Sequence, residues 1–186
     1  MTAPRIVVVV ASETGRTWRM AEALVDGAME RVAEARPVRA ADVTDAQLVS
    51  ADAIVLGSGV HMAGVESSMR GFFERTAPLW LQGSLTGRLG AAFVTAGAGA
   101  RGGAELTLIS LHAFLAEHGL LLVPMHNRLE GYSQAGSHWG PIAWTTPRGG
   151  RAGPTEEHLS AARAHGRWIA ECATRWLAGR PTPAAR

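Results

Sequence analysis

Apolar residues in this chain follow two alternating patterns. Continuous β-branched or small apolar runs mark strands, and i, i+3, i+4 spacings mark helices between them. Residues 5–11 (RIVVVVA) are apolar almost throughout, as in a strand buried on both faces of a parallel sheet. Met20, Ala21, Leu24, Ala28 and Val32 then recur at helical spacing, predicting a helix from about 16 to 32. Residues 37–41 read as a weaker edge strand, and 45–49 as a short turn or one helical turn. A second buried strand over 52–58 leads to a helix over 67–76 that turns Met69, Phe72 and Phe73 to one face. A third over 90–95 leads to a helix over 105–118 with Leu108, Leu111 and Leu115 inward. Residues 120–124 read as the last buried strand. The segment 127–153 is rich in Gly, Pro and Trp and has little periodicity; loops of this length in a compact domain are usually functional. Glu156 and Glu157 open a final helix that runs to about Leu177, and 179–186 form a frayed tail.

Five strands alternating with helices predict an α/β fold with a parallel sheet covered on both faces. Ligands of such sheets sit outside the carboxyl ends of the strands. Three small-residue loops fall there: Ser12, Glu13, Thr14, Gly15, Arg16 and Thr17; Gly59, Val60, His61 and Met62; and Ala96, Gly97, Ala98 and Gly99 through Gly102. The first joins a strand to a helix N-terminus, where unsatisfied N–H groups and the helix dipole favour an anion. A simple Ser or Thr helix cap is the competing reading. Convergence of the three loops favours a site.

Composition narrows the class. A chain of 186 residues that is 47% hydrophobic and 18% charged is expected to be one domain with a proper core. No apolar run reaches membrane-spanning length, and the N-terminus lacks a signal-peptide pattern. Cys172 is the single cysteine, which excludes an internal disulfide and fits a reducing cytoplasm. All 18 basic residues are arginine, scattered and nearly balanced by 16 acids, so no basic stripe points to nucleic acid. Gly97-Ala98-Gly99-Ala100-Arg101-Gly102 matches the dinucleotide fingerprint, but it follows the fourth strand and the next strand ends without a ribose-binding acid. His112 and His118 do not share a helix face and the other histidines are dispersed, so no metal site is expected; no G-x-S-x-G elbow is present. At a helix C-terminus His118 also reads as a cap. Trp80, Trp139 and Trp144 are placed in loops, where aromatics line flat apolar sites or plug a core.

Together these stretches resemble a known family. Ser12-x-Thr14-Gly15-x-Thr17 resembles the phosphate loop of flavodoxin-fold FMN proteins. Residues 51–58, Met69-Arg70-x-Phe72-Phe73-Glu74-Arg75-Thr76-x-x-Leu79-Trp80 and Gly83-Ser84-Leu85-x-Gly87-Arg88 are similar to WrbA-like NAD(P)H:quinone oxidoreductases and NADPH-dependent FMN reductases. Phe93-x-Thr95-x-Gly97, Gly102-Gly103-x-Glu105-x-Thr107 and His118-Gly119 to Val123-Pro124 continue the match, which resumes at Glu156-x-x-Leu159-x-x-Ala162-Arg163-x-x-Gly166.

The resemblance implies a single flavodoxin-like three-layer sandwich with a five-stranded parallel sheet in the order 2-1-3-4-5. It implies FMN as cofactor and NADPH or NADH as donor. The acceptor would be a quinone or similar small molecule, and the protein a homodimer or homotetramer. Ser12 to Thr17 would hold the FMN phosphate, with Gly59, Val60, His61 and Met62 along one side of the ring system and Ala96 to Gly102 along the other. His118 would reach the flavin site from a helix end, and Trp80 would wall the substrate pocket across a subunit interface. The flavin carries the chemistry, so no catalytic residue is expected. The family's Pro-Thr-Arg-Phe-Gly is replaced by Gly59-Val60-His61-Met62-Ala63, and an aromatic common in its phosphate loop by Thr14. Residues 132–144 could supply a substitute wall. The alternative is an electron carrier of the flavodoxin kind, but such carriers are typically strongly acidic and this chain is slightly basic.

Overall fold

A computed structural model describes residues 3–31, 34–97, 101–135, 137–145 and 153–179, with backbone only at 101 and 102. The sheet is built on β1 (Arg5–Ala11), whose alternate side chains serve two separate cores. Ile6, Val8 and Val10 pack beneath α1 (Arg16–Met29) and α7 (Glu156–Ala178). Val7, Val9 and Ala11 face the other layer, made by α2 (Asp45–Ser50), α3 (Ser67–Arg75), α4 (Ala77–Leu81) and α5 (Arg101–Glu117). β3 (Ala53–His61) and β5 (Leu89–Gly97) alternate in the same way.

The strand path is β2-β1-β3-β5-β6, with β2 (Glu34–Arg39) at one edge. Pro37 sits opposite Val8 on that edge strand, where a missing N–H is tolerated. Among the described residues the sheet holds seven strands rather than the expected five. β4 (Gly64–Val65) folds back antiparallel on β3 as a short hairpin. The fifth position is shared by two pieces: β6 (Leu121–Leu122) pairs with the start of β5, and β7 (Ile142–Thr145) pairs with its end. The expected buried strand over 120–124 is therefore only two paired residues at an edge, with Leu121 and Leu122 exposed. β7 and the short α6 (Tyr132–Ala135) lie within the expected loop over 127–153.

Two buried histidines brace the segment between β6 and β7. His165 of α7 donates from Nε2 to the carbonyl of Val123 at 3.1 Å. His112 of α5 donates likewise to the carbonyl of Trp139 at 2.6 Å. Among the described residues the Nδ1 atom of each finds no partner. Burial pushes His165 down to about 4, against the opposing effect of its Val123 bond, and also lowers His112. Both are neutral in the fold at neutral pH.

α1 and α7 pack backbone against backbone. A Cβ on Gly166 would lie 2.0 Å from the Leu24 carbonyl oxygen, and one on Gly27 would lie 2.0 Å from that of Arg163. Only glycine allows the two backbones to approach so closely.

Two predictions follow from this packing. Gly166→Ala should lower unfolding free energy by about 1–3 kcal/mol through overpacking, read as a lower denaturant midpoint at unchanged slope. Stability should also fall with acid. The unfolded chain protonates His165 near its ordinary value of about 6.5 while the fold resists until about 4, so the loss accrues between those limits. His165→Gln keeps a donor for Val123 without titrating, so it should flatten the midpoint-against-pH profile by up to about 1.4 kcal/mol per pH unit.

Candidate cofactor cleft

The carboxyl ends of β1, β3 and β5 lie side by side, since Ala11 is paired with Ser58 and Gly59 with Thr95. The segments leaving them open into one cleft of about 130 Å³. Glu13, Thr14, Arg16 and Thr17 line it from the first segment, Gly59, Val60 and His61 from the second, and Thr95, Ala96 and Gly97 from the third. β7 adds Thr145, which sequence reasoning missed because its strand lies in an aperiodic stretch.

The first segment turns at Gly15, whose left-handed φ of 80° admits glycine without strain, and enters α1 at Arg16. The N-cap of α1 is Gly15, so neither Ser nor Thr caps the helix there; Ser12, three residues earlier, accepts the Trp18 N–H on its Oγ at 3.2 Å, while Thr14, Arg16 and Thr17 face the cleft. The buried hydroxyls of Thr17 and Thr95 are 2.7 Å apart, tying the start of α1 to the end of β5. Arg16 donates from Nη1 to Thr145 Oγ1 at 3.4 Å, and Thr145 donates to the Ala96 carbonyl at 3.2 Å. Glu13 and His61 meet at 3.8 Å, both well exposed.

The second segment is not a loop. Gly59, Val60 and His61 continue β3, and a two-residue turn at Met62 and Ala63 leads into β4. Both turn residues have positive φ, 48° and 64°, as the twist of a tight hairpin demands. Neither is glycine, so this hairpin carries backbone strain. Ser58 anchors its base: the hydroxyl donates to the Gly59 carbonyl at 2.8 Å and accepts the Glu66 N–H at 3.0 Å. In the third segment Ala96 and Gly97 finish β5, and Gly102 falls in the first turn of α5. Ala98 and Gly99 lie outside the described residues.

Trp80 and His118 are not brought to this cleft within one chain. Trp80 lies on α4, not in a loop, and His118 just past the end of α5. They line a second groove of about 440 Å³ with Phe73 and Phe114. α5 starts at the carboxyl edge of the sheet and its 17 residues rise about 25 Å, which puts this groove towards the opposite edge. His118 is no charged helix cap. It is buried against the Phe114 ring, with centroids 4.6 Å apart, and burial lowers its affinity for a proton despite Glu117 nearby. Trp144 is on β7, and Trp139 sits in the turn before it. Among the described residues no group of three or more His, Cys, Asp or Glu side chains could hold a metal ion, and no helix is long and apolar enough to cross a membrane.

Known proteins share both the sequence pattern and this architecture. An NAD(P)H dehydrogenase (quinone) of Geotalea daltonii is 31% identical over 206 aligned positions, covering 95% of this chain and all of that one. Another of that name, from Methylocella silvestris, is 32% identical and covers 91% of this chain and 96% of its own. Among solved structures, a flavodoxin, WrbA-like protein from Agrobacterium tumefaciens superposes with a TM-score of 0.74 at 25% identity, over 92% of this chain and 98% of that one. A flavodoxin from the domain Archaea superposes with a TM-score of 0.67 at 22% identity, over 91% and 99%, a likeness of fold. The flavodoxin domain pattern itself matches residues 7–115, and with the two relatives it establishes that the chain belongs to the flavodoxin domain family.

Proposed function

We propose that this protein is an FMN-dependent NAD(P)H oxidoreductase that passes two electrons from a nicotinamide to a quinone or similar small acceptor. The observation that carries this reading is the cleft at the carboxyl edge, lined by threonine hydroxyls, an arginine and glycines. It occurs in a chain that aligns over nearly its whole length with relatives named for that activity.

The donor set fits FMN. Thr14, Thr17 and Arg16 cluster where the α1 dipole is positive, which suits a phosphate. Among the described residues a Cβ on Gly97 would meet nothing within 4 Å, so Gly97 leaves open space beside the cleft. Ser12 holds the first turn of α1 in shape from behind. Gly59, Val60 and His61 would offer strand-end backbone groups to the ring edge, with Met62 at the hairpin tip, and Ala96 and Gly97 would lie along its other side. Bound there, FMN would supply two-electron hydride chemistry between the nicotinamide and the acceptor, with the remaining proton of the reduced acceptor taken from water. The chain's own work is to bind, orient and shield. No side chain needs to move a proton, and backbone N–H groups aimed at the ring would stabilise its negative charge.

Trp80 and His118 serve this reading only from a second copy of the chain. Trp80, Leu81, Leu106 and Ile109 are exposed on the outer side of α4 and α5, a surface suited to self-association as a homodimer or homotetramer. A cytoplasmic location fits the lone Cys172, whose thiol burial pushes up to about 11 and so keeps protonated.

Three measurements test the reading. FMN-loaded protein mixed anaerobically with NADPH or NADH should bleach rapidly and regain its absorbance with one equivalent of a benzoquinone; a loaded protein that neither nucleotide bleaches would be an electron carrier. Ile109→Glu should lower the sedimentation mass of the assembly, and an unchanged mass would place the interface elsewhere. Trp139→Ala with Trp144→Ala should slow turnover with bulky quinones more than with small ones, and equal rates with every acceptor would remove residues 132–144 from the pocket.

A further inference from the structure

β7 interrupts an otherwise aperiodic stretch, and its last residue reaches the cleft. Thr145 is buried, and its side chain has two contacts of different polarity. The hydroxyl has one hydrogen, which it donates to the Ala96 carbonyl at 3.2 Å. That bond turns the oxygen lone pairs towards Arg16, whose Nη1 donates to them at 3.4 Å. Thr145 can therefore only accept from the guanidinium, and it does so from a fixed place on the sheet.

Arg16 is the first residue of α1. Its side chain is long, permanently charged and carries five donors in a planar fork, one of which the bond to Thr145 uses. Thr17, the next residue, is tied directly to Thr95 of β5 at 2.7 Å. Two consecutive residues at the helix N-terminus are thus held to the end of β5, one directly and one through Thr145. Glu13, the acidic residue in the cleft lining, is turned towards His61 at 3.8 Å.

We propose that Thr145 is a positioning residue for the flavin phosphate: it presets the Arg16 guanidinium at the N-terminus of α1. This rests on reading the cleft as an FMN site. A flexible arginine would lose rotamer freedom when the phosphate arrived; an arginine already held by Thr145 has lost it beforehand, and binding is tighter by that difference. The positive charge of Arg16 and that of the helix dipole then act at one place on one group. The role is confined to the phosphate and does not extend to the ring.

Riboflavin is FMN without the phosphate, so the ratio of the two dissociation constants isolates the proposed effect. Both constants are measured by flavin fluorescence quenching for the wild type, Thr145→Val, Thr145→Ser, Arg16→Gln and the Arg16→Gln/Thr145→Val double variant. The preference for FMN should fall about ten- to hundredfold in Arg16→Gln, the range for a charge-assisted hydrogen bond. It should fall about three- to tenfold in Thr145→Val. Thr145→Ser should keep the wild-type ratio. The double variant should match Arg16→Gln in this ratio, since Thr145 reaches the phosphate only through that residue. Measurable riboflavin binding reports that each variant is folded, and the loss of the Thr145 bond to Ala96 affects both flavins alike. A wild-type ratio in Thr145→Val, or equal weakening of both ligands, would overturn the positioning role. Failure of the wild type to bind either flavin would instead overturn the FMN reading on which the proposal rests.

Discussion

Everything in this molecule depends on β1 being buried on both faces. Ile6, Val8 and Val10 belong to one core and Val7, Val9 and Ala11 to the other, so both sides of the sheet centre are closed to water. Polar chemistry is then confined to the ends of the strands. At the carboxyl end the chain leaves β1 through a polar turn, β3 runs into a strained hairpin and β5 ends at glycine. The hydroxyl pair Thr17–Thr95 and the Arg16–Thr145–Ala96 chain tie these endings together, so the cleft is a direct continuation of the core packing.

The central fold was legible in the sequence because burial on both faces leaves a simple signature. Residues 5–11, 52–58 and 90–95 are runs with almost no polar interruption, and each proved to be a central parallel strand. The fifth position was not legible, for a physical reason. It is an edge shared by β6 and β7, neither long enough to establish a pattern. The apolar run of 120–123 suggested burial that an edge does not give Leu121 and Leu122. β7 is only four residues long, next to Gly140 and Pro141, and could not be recognised from periodicity. Thr145 was missed with it.

The candidate site divides in the same way. The Ser12–Thr17 segment could be located because strand, glycine turn and helix start are consecutive in sequence. The hairpin at Met62 and Ala63 could not, because both residues adopt a backbone conformation that their side chains disfavour. Trp80 and His118 share one groove, away from the cleft to which the resemblance assigned them. Trp80, Leu81, Leu106 and Ile109 are exposed on α4 and α5, the surface that the proposed self-association would cover.

Hydrogen–deuterium exchange with and without FMN tests the central claim most directly, because it reads every segment of the cleft at once. The account predicts slower exchange on FMN addition in the segments carrying Thr14 to Thr17, Gly59 to His61 and Thr95 to Gly97, together with Thr145. Unchanged exchange in those four places, in a sample where FMN is demonstrably bound, would contradict it.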